Sequence, residues 1–72
     1  MPAPRPAPPS TSTATQLATI ADHVDDYRGR VGDLAEPFEG TERDDLAVSI
    51  REAERQLRSA VRTLQRAARS AG

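Results

Sequence analysis

Apolar residues recur along the chain in two helical series. The first is Leu17, Ile20, Val24, Tyr27, Val31, Leu34 and Phe38, with steps that alternate between 3 and 4. Such steps bring all seven to one side of an α-helix and make a heptad repeat. Leu17, Val24, Val31 and Phe38 take its a positions, and Ile20, Tyr27 and Leu34 its d positions. The second series is Leu46, Ile50, Ala53, Leu57, Ala60, Leu64, Ala67 and Ala71, with the same alternation. Here Ile50, Leu57, Leu64 and Ala71 are a, while Leu46, Ala53, Ala60 and Ala67 are d. No segment shows the period of 2 that marks a strand.

Local signals set the expected ends. Thr13-Ala14-Thr15-Gln16 has the form of a capping box, so the first helix is expected over about 14–36. Pro37 disfavours helical backbone at Glu36 and stops it there. A turn is expected at 37–41 and a second helix over about 42–70. Thr41, followed by Asp44, resembles a second capping box, and Glu42, Asp44 and Asp45 suit the positive end of a helix dipole. Gly29 and Gly32 are expected on the outer face of the first helix, where each costs about 1 kcal/mol relative to Ala. Residues 1–13, MPAPRPAPPSTST, hold five of the six prolines. They are expected to form a disordered tail leaning toward polyproline II. Its Pro6-x-x-Pro9 spacing has the form that polyproline grooves accept, although a plain flexible tail is the simpler reading. Phosphate on the hydroxyls of Ser10 to Thr15 would meet the same kind of helix end, but no kinase motif is legible there.

The two series are in register as an antiparallel hairpin. Facing layers of such a pair have residue numbers with a constant sum. That sum is 80 for Leu34 with Leu46, Tyr27 with Ala53 and Ile20 with Ala60, and 81 for Val31 with Ile50, Val24 with Leu57 and Leu17 with Leu64. Large residues thus face small ones in the d layers. The neighbouring e positions pair at 82: Ala14 with Ala68, Ala21 with Val61, Arg28 with Glu54, and Ala35 with Ala47. The opposite g flank is polar, with Gln16, His23 and Arg30 facing Thr63, Gln56 and Ser49. An apolar stripe spanning a, d and e is wider than an isolated pair of helices can cover. The expected fold is therefore an all-α, heptad-patterned antiparallel two-helix hairpin over residues 14–72 that completes a four-helix bundle by dimerisation. A partner protein's helix lying in the same groove is the competing arrangement. The expected interaction surface comprises Leu17, Ala21, Val24, Tyr27, Val31, Leu34, Ala47, Ile50, Leu57, Val61, Leu64 and Ala68, with Ile20 beside them.

Composition narrows the chemistry. Leu, Ile, Val and Phe number 12 of 72 residues, so any core is small. The formal charge is −1, a balance that argues against disorder throughout. No Cys is present, which excludes disulfides and thiolate metal sites, and the single His has no imidazole partner. No apolar run is long enough to span a bilayer or follow a signal-type N-terminus, so the cytoplasm is the expected location. All ten basic residues are Arg, and Ala is as frequent as Leu, Ile, Val and Phe together; both have GC-rich codons and suggest a bacterial source. Asp22, Asp25 and Asp26 lack the spacing of an EF-hand, and no phosphate loop or nucleophile-base set is present. No catalysis and no cofactor are expected.

One charge feature offers an alternative function. Arg51, Arg55, Arg58, Arg62, Arg66 and Arg69 form a stripe expected on the outer face of the second helix, and no acid follows Arg55. Such a stripe binds nucleic-acid phosphates or another acidic surface. The plainer reading is a solvated face, favoured by Arg's helix propensity and by the dipole. Asp22, Asp25 and Asp26 are expected alongside Arg55, Arg58 and Arg62, and the aromatics Tyr27 and Phe38 point inward, leaving no platform for base stacking. The stripe also lacks the Trp or Phe of a membrane-surface helix. In topology the chain resembles the small secreted WXG100 proteins, but Pro37-Phe38-Glu39-Gly40 stands where their Trp-x-Gly turn would be, so nothing of their function carries over. The leading expectation is a non-catalytic, self-assembling helical adaptor, scaffold or regulatory subunit.

Overall fold

The computed structural model describes residues 9–72. Two long helices, α1 (Pro9–Ala35) and α2 (Asp44–Ala71), fold back on each other through a 3-10 turn at Glu36–Phe38. Among the described residues there is no strand. The chain is a helical hairpin, as the two series imply.

The described part of α1 already includes Pro9 to Thr13, ahead of the capping box, residues expected to belong to the tail. The rest of the expected tail, with Pro6 of the Pro6-x-x-Pro9 spacing, lies outside the described residues.

α1 ends where Pro37 enters. α2 begins at Asp44, two residues later than the capping pattern suggests, because Thr41 and Asp44 stabilise the turn instead. The Thr41 hydroxyl donates to the Phe38 carbonyl at 2.6 Å and accepts from the Arg43 N–H at 3.1 Å. The Asp44 carboxylate accepts from the Gly40 N–H at 3.0 Å. Gly40 has φ +73°, a left-handed conformation that glycine adopts without steric cost.

The seam between the helices is displaced from the expected one. The buried apolar residues are Ala21, Ala35, Ala47 and Val61, all at e positions. Leu17, Val24, Val31, Ile50, Leu57 and Leu64, the a residues, flank them half-buried. The d residues, expected to close the seam, stand outside it: Ile20 is 47%, Tyr27 58% and Leu34 63% exposed. Small e residues explain the shift. A layer of alanines lets two helices approach closely, whereas Tyr27 in the seam would hold them apart. The helices have therefore turned so that e and a face the neighbour and d faces outward.

Gly32 belongs to this seam and not to the outer face. It is buried, and a Cβ there would stand 2.6 Å from a carboxylate oxygen of Glu54. At Gly29 a Cβ would meet nothing within 4 Å. The two glycines should therefore respond differently to alanine. At fixed chain concentration, thermal unfolding should show Gly29→Ala more stable by about 0.5–1 kcal/mol, from helix propensity alone. Gly32→Ala should gain distinctly less, because Glu54 must move. Equal gains at both sites would contradict the close approach.

Candidate interaction face

The hairpin has two unlike broad sides. On one, the d residues of both helices lie together. Ile20, Tyr27 and Leu34 project from α1; Ala53 and Ala60 are exposed beside them on α2, with Leu46 and Ala67 half-buried. This side has the half-buried a residues as its floor. Its polar border includes Arg30, whose guanidinium lies over the Tyr27 ring at 5.3 Å from the centroid. Single exposed apolar residues are ordinary, but several on one side of a small hairpin make it a candidate interaction face.

The other side is held by charge. Glu54, whose side chain is only 13% exposed, sits at the e position facing Arg28. Arg28 Nη1 is 3.5 Å from it across the seam, Arg51 Nη1 3.0 Å and Arg58 Nη2 3.4 Å along α2. Arg28 also donates to Asp25 at 2.8 Å, and Arg51 reaches the turn to pair with Glu39. The cross-helix pair Arg28–Glu54 is the one expected from the register, and it is partly buried rather than on the surface. Hydrogen bonding from Arg51, reinforced by the other arginines, holds the Glu54 carboxyl below its ordinary value. Its hydrogen bond to Asp25 raises Arg28, and those to Glu39 and Glu54 raise Arg51.

The expected arginine stripe divides at this cluster. Arg51 is half-buried and paired, so it is not a free outer-face cation. Arg55 pairs with Glu52, and Arg58 with Glu54. The pairings with Asp22, Asp25 and Asp26 do not form; Asp25 takes Arg28 on its own helix. Arg62, Arg66 and Arg69 line a shallow open groove with Ser59, Thr63 and Gln65. No acid faces these three among the described ion pairs.

Of the residues expected to contact a partner, Tyr27 and Leu34 stand free on the apolar side. Ala21, Ala47 and Val61 are covered within the hairpin, Ala68 is half-buried, and the a residues lie between. Exposed Ala53 and Ala60, expected beneath Tyr27 and Ile20 inside the hairpin, join the free side. The signal for this was the run of small residues at e. Among the described residues, no three or more His, Cys, Asp or Glu are grouped to hold a metal ion. No described helix is long and apolar enough to cross a membrane. Comparison with family models, characterised proteins and solved structures gave no match.

The Glu54 cluster makes a pH prediction. A carboxylate depressed in the folded state adds stability in full above the free glutamate value of about 4.3, and that contribution is lost as pH falls through the folded value. The unfolding midpoint should therefore drop between about pH 5 and pH 3, and drop less in Glu54→Gln, which is less stable at neutral pH. Parallel pH profiles for the two chains would remove Glu54 from the account.

Proposed function

We propose that this protein is a non-catalytic helical interaction module that assembles with a second copy of itself through the apolar d side of the hairpin. The assembly would act as an adaptor, scaffold or regulatory subunit. One observation carries the reading: Ile20, Tyr27 and Leu34 lie exposed in a row on one side, while among the described residues the hairpin buries only three alanines, one valine and Gly32. A seam of that size contributes little apolar burial, and long helices draw most of their stability from packing. Covering the row supplies what is missing, roughly 1 kcal/mol or more for each half-exposed large side chain. A second copy is the simplest cover, since two-fold self-association is the commonest assembly.

Solution mass and circular dichroism test this. Tyr27→Asp places a charge on the free side and leaves the seam intact. It should weaken association at least about 100-fold, because a charge would be buried on each side of the interface. Val61→Asp puts its charge in the seam, where Val61 is 6% exposed, and should abolish helix at every concentration. A Tyr27→Asp chain that associates as tightly as the wild type would overturn the proposal.

The open groove of Arg62, Arg66 and Arg69 favours a second reading, binding of nucleic-acid phosphates. It predicts affinity for DNA or RNA that falls steeply with salt, and whose salt slope shrinks when Arg58, Arg62 and Arg66 are changed to Gln. Binding unaffected by those changes would exclude it.

A further inference from the structure

The free side of the hairpin is not flat. Along α1 the large Ile20, Tyr27 and Leu34 form a ridge; along α2 the exposed Ala53 and Ala60 form a trough. Resting on the self-assembly reading above, we infer that two copies pair about a two-fold axis parallel to the helices, so that α1 of each lies over α2 of the other and both turns point the same way.

Register leads to this arrangement. A two-fold axis along the helices leaves every residue at its own height. Inside one hairpin, Ile20 is level with Ala60 and Tyr27 with Ala53, since both pairs of residue numbers add to 80. The axis therefore sets the ridge of one copy over the trough of the other, with Tyr27 landing on Ala53 and Ile20 on Ala60. Leu34 meets the half-buried Leu46 at the turn end. The large-against-small matching legible in the d layers, which the hairpin itself leaves unused, is satisfied between copies. Neighbouring helices run antiparallel throughout.

The alternative places the axis across the helices, with turns at opposite ends. α1 then meets α1 and α2 meets α2, so ridge stands on ridge and alanines face alanines across a gap. Unfilled space of that kind is costly. Charge alone favours the alternative. Between Gly29 and Ala53 there are seven acids and three arginines, while the segments 9–22 and 60–72 hold one acid and three arginines. These charges are exposed, however. Surface pairs are worth about 0–1 kcal/mol, and their fields are screened over about 8 Å at physiological salt. Matched packing on both sides of the axis outweighs them. One border position is level as well, Arg30 with Glu52 at a sum of 82, although Glu52 already pairs with Arg55 and accepts from Gln56 on its own helix. Among the described contacts Arg30 has the Tyr27 ring and no acid.

Spin labelling separates the arrangements, and the lack of native cysteine makes a single label clean. Ser70→Cys carries a nitroxide at the exposed, open end of α2. If the turns point the same way, the two labels of a dimer lie across a bundle of helices spaced about 8–10 Å, giving a distance below about 25 Å. If the turns are opposed, the labels are separated by most of a helix of 28 residues, about 40 Å at 1.5 Å per residue. A distance near 40 Å in a sample of dimer mass would overturn the shared direction and leave self-assembly standing. No dipolar coupling together with a monomer mass would overturn both. A size swap adds a second readout. Ala53→Tyr alone should weaken the dimer, and adding Tyr27→Ala to the same chain should restore it; no restoration would count against Tyr27 lying on Ala53.

Discussion

The close approach of the two helices along a seam of small residues decides the rest of the structure. Ala21, Ala35 and Ala47, with Val61, occupy the line of contact, and Gly32 admits the Glu54 carboxylate where a methyl group would collide with it. Small residues at the contact draw helices together. A closely spaced pair has no room for Tyr27 or Leu34 between its members, so they turn outward. The same residues that make the hairpin narrow thus give it an unpartnered apolar side. Its seam buries few methyl groups, and a chain of 72 residues has little other core to draw on.

The charged side complements this. The Glu54 carboxylate takes an e position that apolar residues hold elsewhere, and it is surrounded by Arg28, Arg51 and Arg58. A carboxylate so far removed from water requires partners, and arginines from both helices supply them. Arg51 extends the network into the turn through Glu39. Charge therefore fixes the register of the hairpin at mid-length and at the turn end, on the side opposite the apolar strip. The two sides thus differ: one holds the hairpin in register by charge, and the other leaves Ile20, Tyr27 and Leu34 exposed.

Much of this was legible in the residues. The 3-and-4 spacing gave both helices and the hairpin register, Pro37 gave the end of α1, and the pairing of Arg28 with Glu54 followed from the sum. The rotation of the seam was harder to see. Positions a, d and e all carry apolar residues, and hydrophobicity alone ranks Tyr27 and Ile20 above Ala21 and Ala47 as core residues. Size at the contact overrides that ranking, because it sets how near the helices come. The role of Gly32 was hidden for the same reason: its outward place in the heptad holds only while the seam is centred between a and d. The arginine stripe was legible as spacing, but its division into Arg51, Arg55 and Arg58, which pair with acids, and Arg62, Arg66 and Arg69, which do not among the described ion pairs, depends on where the acids fall in space. That Pro9 to Thr13 are helical escaped because a proline-rich lead-in reads as an extended tail by local pattern.

If the narrow hairpin draws its stability from a second copy, as proposed, folding and association form one equilibrium. Sedimentation equilibrium of the wild-type chain across a dilution series, with circular dichroism on the same samples, tests it most directly. Linked folding and association give a mass of about twice 7.8 kDa at high concentration, and loss of mass and helix together on dilution. A monomer that keeps its full helix at every concentration would contradict it.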